Sequence, residues 1–297
     1  MNATRKFYDS MSVCFLKLLP YFTMEIRPGK AGFFGELFIT LNGLRLAELN
    51  QIQARVCWGV NSPYYESGYG ANAWDYFFQK SEFDFSNHRL IKNSINLSYR
   101  PGGGDFVPYD GLSVKKSINK ALHVWCKPHF EILDAVDSYV NENFHSYKAV
   151  LGVHVRLTDA AAGMESRRVI NMVDILNSVD SWLSKNHNSG IFLASDEEQV
   201  VSMFNSRYPG IVYSQDCIRS TDGTSIHGHY DEGVQGSAYS KGREVLIDAL
   251  ILARCDHLIR THSRVTAFSI CWNPLLTYQD LELELLGVNR TPWLHYD

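Results

Sequence analysis

The sequence predicts an α/β fold built on parallel sheets and divided into two domains, and three observations lead there. Beyond residue 146, short β-branched apolar runs alternate with stretches of helical periodicity, the pattern of strand–helix–strand units. The first half opens with one such unit of its own. The length, 297 residues, fits two domains of ordinary size better than one. The expected division is residues 1–145 and residues 146–297.

In chain order, YFTMEI (21–26) reads as a strand, RPGKAGFFG (27–35) as a glycine-bearing loop, ELFITLNGLRLAELN (36–50) as a helix and ARVCWGV (54–60) as the next strand. The aromatic run at 62–80 and the glycine cluster at 100–111 read as long irregular segments, and long loops in compact domains are often functional. Tyr64, Tyr65, Tyr69, Trp74 and Tyr76 suit either stacking on sugar rings or core packing, with core the commoner use. Residues 112–144 turn helical, with a break at Pro128.

The second half gives strands at 149–157, 190–196, 210–216 and 256–262, separated by helices at 169–186, 197–209 and 241–255 and followed by one at 263–272. Such a doubly wound sheet binds ligands in the crevice outside the carboxyl ends of its strands. The strand ends expected there are Arg156, Asp196, Asp216 and His262.

Composition bounds the partners. With 45% hydrophobic and 20% charged residues the chain is globular. A net charge of −4 gives no general electrostatic reason to bind nucleic acid or an anionic membrane, so any phosphate must meet a local cation. The six cysteines are scattered without a C-x-x-C pair and read as reduced and mostly buried. Residues 12–22 are short and interrupted by Lys17 and Pro20, a strand or helix rather than an anchor. The expectation is a cytoplasmic protein with no integral membrane segment, or else a lumenal domain trimmed of its anchor. Asn2, Asn96 and Asn289 head N-x-S/T sequons, which carry no weight without a secretory signal.

The strand at 149–157 ends in a polar burst: His154, Arg156, Thr158 and Asp159. Arg156 offers a planar, permanently charged fork that meets phosphate or carboxylate oxygens in pairs, or else makes an ordinary salt bridge. His154, two residues earlier, lies on the same side of the strand. Asp196 ends its strand either as a ligand contact or as a cap for the following helix. Asp248 interrupts the apolar helix EVLIDALIL, where a carboxylate needs a donor, either from an arginine or from a base or ribose. Thr261 and Ser263 stand before a helix beginning near Val265, where hydroxyls serve equally for capping or for holding an anion. HGHYDE (227–232) is a poor metal site, for want of further ligands. No G-x-G-x-x-G, G-x-x-x-x-G-K-[ST] or G-x-S-x-G occurs.

GVHVRLTD (152–159) resembles the H-x-R-x-T-D signature of GDP-fucose-dependent fucosyltransferases, namely the α1,6-fucosyltransferases and the rhizobial nodulation fucosyltransferase, with the protein O-fucosyltransferases more distant. The later order agrees: residues 191–210 resemble the family's strand and acidic turn, and 243–266 its helix, strand and hydroxyl turn. The resemblance spans about residues 148–272, and GFFGELFITLNGL (32–44) resembles the family's glycine loop and helix. It implies a GT-B fold, two Rossmann-like α/β domains facing a cleft, with the sugar nucleotide on residues 146–297 and the acceptor side on residues 1–145. It implies L-fucose transfer from GDP-fucose to a glycan hydroxyl, inverting and without metal or other cofactor. Arg156 would bind the diphosphate, and His154, Asp196 and Asp248 the nucleotide. Thr261 and Ser263 would take phosphate oxygens, and Gly35 would approach the diphosphate. The general base would be Glu165 or Asp159. The chain departs from the α1,6 group at Leu157, where that group carries a second arginine, and at Ala160, where it carries a basic residue.

Overall fold

The computed structural model describes residues 22–26, 32–49, 53–79, 89–92, 112–156, 170–221, 237–261 and 263–286. Two compact units divide the chain, Met1–Val107 with Lys120–His129 and Trp293–Asp297, and Pro108–Asn119 with Phe130–Pro292.

In the N-terminal unit β1 (Phe22–Ile26) leads through α1 (Phe33–Leu49) to β2 (Gln53–Val56), and β3 (Arg89–Lys92) completes a three-stranded sheet in the order β2-β1-β3. Both pairings are parallel. The helix begins at Phe33, three residues earlier than the apolar periodicity suggests, so Gly35 lies in its first turn instead of in the preceding loop. The run at 62–80 is not a free platform. Phe33 packs edge-on against Trp58, Tyr64 and Phe77 with ring centroids 5.5, 5.2 and 5.0 Å apart. Tyr64, Trp74 and Tyr76 are buried around the short α2 (Trp74–Phe77), while Tyr69 is 48% exposed. Two side-chain hydrogen bonds tie polar groups inside this aromatic core. The Trp58 indole donates to Thr40 Oγ1 at 2.9 Å, and Ser62 Oγ donates to Glu36 Oε2 at 2.9 Å.

Helix α3 (Leu112–Trp125), whose first part to Asn119 belongs to the second unit and whose remainder belongs to the first, runs up to the break at Pro128, and α4 (Phe130–Asn143) of the second unit follows. The strands β4 (Ala149–Val155), β5 (Ser189–Ser195), β6 (Val212–Tyr213), β7 (His257–Arg260) and β8 (Thr277–Asp280) form one parallel sheet in the order β6-β5-β4-β7-β8. Between them lie α5 (Met172–Lys185), α6 (Glu198–Arg207), α7 (Ser237–Leu252) and α8 (Arg264–Trp272), with α9 (Leu281–Leu286) after β8. The mixed α/β class is as the alternation predicts; β8 and α9 were not foreseen. Two expected strand ends are corrected. β6 stops at Tyr213 and leaves Asp216 in the following loop, and β7 stops at Arg260. His262 lies outside the described residues.

The two faces of this sheet differ. Leu151, Val153, Val155, Ile191, Leu193 and Ile259 join residues of α5 and α6 in one apolar core. On the alternate positions Phe192 meets Tyr139 of α4 at 5.6 Å. A Cβ at Gly152 would lie 3.1 Å from Leu252 Cδ2 and 3.2 Å from Cys255 Sγ, so the missing side chain is what lets the end of α7 close on β4. Buried α8 is tied to α7 by Ser269 Oγ, which donates to the Ala249 carbonyl at 2.8 Å. Cys57, Cys126, Cys217, Cys255 and Cys271 are free thiols. Among the described residues no helix is long and apolar enough to cross a membrane.

Candidate functional site

From β4 the chain winds through β5 to β6 in one direction, then returns to place β7 and β8 on the other side of β4. The winding reverses between β4 and β7, and the carboxyl ends of those two strands flank the topological switch point, where an open α/β sheet leaves a crevice. His154 and Arg156 stand at the end of β4; Arg260 and Thr261 stand at the end of β7.

Register fixes the next step. His154 pairs with Ala194 on one side and Arg260 on the other, and Arg260 pairs with Asp280. In-register residues of parallel strands share a face, so a histidine, an arginine and an aspartate form one row. His154 is buried, and its Nδ1 has no hydrogen-bond partner among the described residues. Burial, then the charges of Arg156 and Arg260, push its pKa down to about 3. The imidazole is therefore neutral at any ordinary pH, with a ring nitrogen available to a ligand. Half-buried Arg156 is close enough for its charge to weigh on that ring.

Arg260 is 2% exposed. Its Nε lies 3.5 Å from Asp280 Oδ2 and makes no hydrogen bond among the described residues. The guanidinium lies 5.9 Å from the centre of the Tyr278 ring, and the Lys115 ammonium lies 5.3 Å from the same centre. Sequence reasoning passed over Arg260, yet the signal was present: an apolar strand ending in arginine, as at Arg156.

The hydroxyls at the edge have local work. Ser263 Oγ accepts from the Val265 N–H at 3.2 Å and caps α8; such a hydroxyl still has its own proton to donate. Ser195 Oγ accepts from the Glu197 N–H at 3.2 Å. Asp196 is not the cap of α6, since Glu197 holds that position without a side-chain bond. The Asp196 carbonyl accepts from the Ser220 N–H at 2.8 Å. Thr261 follows β7 directly and is half-buried.

Asp248, on α7, faces the loop after β6. Gln215 Nε2 donates to its Oδ1 at 2.5 Å, and Arg219 Nη2 donates to the Gln215 carbonyl. Desolvation raises the carboxyl to about 7, against the pull of Gln215 and Arg219 and with a push from Glu244. Accessible area leaves Asp248 only partly covered, so water shares in its solvation. Burial likewise pushes the neighbouring Cys217 thiol up to about 12. The donor foreseen for Asp248 is thus an amide 33 positions away, with an arginine behind it. Nothing local in the sequence marks Gln215 as that partner.

Asp159, Glu165, Thr158 and the HGHYDE run lie outside the described residues. Among the described residues no cluster of histidine, cysteine, aspartate and glutamate is arranged to hold a metal ion. The described residues bring fixed positive charge, a neutral imidazole and hydroxyls to one strand edge, groups whose chemistry suits an anionic ligand.

The profile of the nodulation protein Z (NodZ) family matches residues 113–293, more than half of the chain. No curated protein sequence matches. Among solved structures, the fucosyltransferase NodZ from Bradyrhizobium superposes with a TM-score of 0.53 at 18% identity, covering 86% of this chain and 92% of that one. A NodZ α1,6-fucosyltransferase co-crystallised with GDP gives the same figures. POFUT1 in complex with GDP gives 0.50 at 11% identity, covering 88% and 98%. These neighbours share the GT-B fold, which is the fold of this chain.

Proposed function

The chain belongs to the nodulation protein Z family of glycosyltransferases, and from that premise we propose that it transfers L-fucose from GDP-fucose to a hydroxyl of a glycan acceptor. The observation that carries the reading is the pair of arginines around neutral His154 at the switch point of the sheet. Departure of GDP places growing negative charge on the diphosphate, and a preorganised guanidinium stabilises such charge most where water is excluded. Arg156 takes that role, gripping the β-phosphate with two donors, so the charge is met without a metal.

The remaining roles follow from chemistry. His154 offers a neutral ring nitrogen to the nucleotide, and Asp196 lies at the neighbouring strand end. Asp248 keeps its second oxygen for the N–H donors of guanine while Gln215 holds the first. Thr261 and Ser263 donate their hydroxyl protons to phosphate oxygens. The N-terminal unit takes the acceptor. The acceptor hydroxyl attacks the anomeric carbon from the face opposite GDP and inverts it, its proton passing to Glu165 or Asp159 as general base.

The test is thermal stabilisation by GDP, UDP, CDP and dTDP with EDTA throughout, since a ligand of the native state raises stability by mass action. Product formation from GDP-fucose follows. A shift with GDP alone, then turnover, supports the reading. A preference for another nucleotide points to a different donor sugar, and binding without turnover on any acceptor points to a nucleotide-sugar-binding protein.

A further inference from the structure

Arg260 is a buried charge that its surroundings satisfy incompletely. It is 2% exposed, its Nε has no hydrogen-bond partner among the described residues, and the Asp280 carboxylate approaches only to 3.5 Å. A guanidinium so placed is costly, and an apolar side chain would suit the row better, as Ala194 does two strands away. The cost makes sense if a ligand completes the charge balance. At the end of β4, Arg156 already brings one positive charge beside His154, and Arg260 brings a second from the neighbouring strand. Asp280 offsets at most one of them.

The geometry points to Arg260 as the second cation of the diphosphate site, acting with Arg156 from the adjacent strand. Both guanidiniums border one neutral imidazole, so their fields add over the same crevice, and a ligand with more than one negative charge is favoured over a singly charged one. The position after Arg156 is Leu157, so β4 supplies one arginine and β7 the other. This inference rests on the reading of the crevice as a nucleotide-diphosphate site.

Titration calorimetry on the full chain tests it with GDP, GMP and inorganic pyrophosphate as probes. Arg260→Met should lower affinity for GDP and pyrophosphate on the order of tenfold or more, since hydrogen bonds and contacts to a charged group are the strong ones. GMP should suffer less, and Arg260→Lys should restore part of the loss. Asp280→Asn removes the carboxylate that competes for Arg260 and should tighten pyrophosphate binding about threefold, the scale of a partly exposed pair. Unchanged GDP and pyrophosphate affinities in folded Arg260→Met overturn the assignment while leaving the donor site standing. Equal losses for GMP and GDP also overturn it, because a packing role affects both alike. If Arg260→Met does not fold, Asp280→Asn decides, and unchanged pyrophosphate binding at low salt overturns the inference. Should the wild type bind pyrophosphate and every nucleoside diphosphate equally, with Arg260→Met impaired, the guanine donor falls and Arg260 stands. Failure of the wild type to bind any of the probes sinks both.

Discussion

Val153 and His154 are neighbours on one strand and face opposite chemistries. Val153 points into the apolar layer beneath α5 and α6, where Leu151, Leu193 and Ile259 are fully covered. His154 points to the other side, in a row with Arg260 and Asp280. The period of two along a strand lets the same backbone bury hydrocarbon along one face and, at the carboxyl end of the other, beyond the packed Gly152, Phe192 and Leu258, collect charge. Variants on the two faces should therefore separate stability from activity.

The largest effect is expected on the apolar face. Leu193→Ala removes a fully buried side chain and should cost about 2–5 kcal/mol of stability, read from urea unfolding, while the surviving folded protein keeps its GDP affinity. A collapse of GDP affinity in protein that is still folded would show that the two faces are coupled.

On the polar face, Arg156→Ala should lower kcat/KM for GDP-fucose by about 10²–10³, the usual loss when a donor to developing negative charge is removed, with the melting temperature nearly unchanged. Full activity in this variant would remove the proposed mechanism.

Asp248 sharpens the comparison through pH. Its folded-state pKa of about 7 lies above its ordinary value. The folded protein then holds a proton that the unfolded chain has lost, and stability falls as pH rises from about 4 to about 7, then levels off. Asp248→Asn should abolish that slope and gain about 1–3 kcal/mol above pH 7, a figure discounted for the water that reaches the carboxyl. Equal slopes in variant and wild type, followed by chemical denaturation across pH, would contradict the buried-carboxyl account.

The smallest effect is expected outside both faces. Asp180 accepts from Arg207 at 2.5 Å and from Tyr208 at 2.8 Å. Arg207 first, then Tyr208, hold its carboxyl below the usual range against some desolvation. Its contribution is present above the ordinary carboxylate pKa and is lost as pH falls through the lowered one. The pair is exposed, so Asp180→Asn should shift the melting temperature at neutral pH barely measurably. A large shift would mean that surface pairing matters more here than packing.

Much of this was legible in the chain itself. The alternation after residue 146 marks strands and helices because each needs only its own neighbours in sequence to define a buried face. AVLGVHVR shows an interior strand ending in charge, which places Arg156 and His154 at a carboxyl edge. The glycine loop is shorter than the sequence suggests because Phe33 is packed by distant rings and Phe34 is buried beside it, and that tertiary burial extends the helix backwards. The aromatic run at 62–80 is read the same way from either side: composition allows a platform or a core, and only packing around Phe33 chooses core.

Sequence alone determined the α/β class, the strand that carries Arg156 and the helix interrupted by Asp248, since periodicity and the ends of apolar runs are local properties. The tertiary structure decided which residues meet. His154 and Arg260 are over a hundred positions apart and stand side by side only because β7 pairs with β4 in that register, while Gln215 reaches Asp248 only because the loop after β6 folds over α7. Pairing between distant strands is set by the packing of the whole sheet, and no local window of the chain contains it.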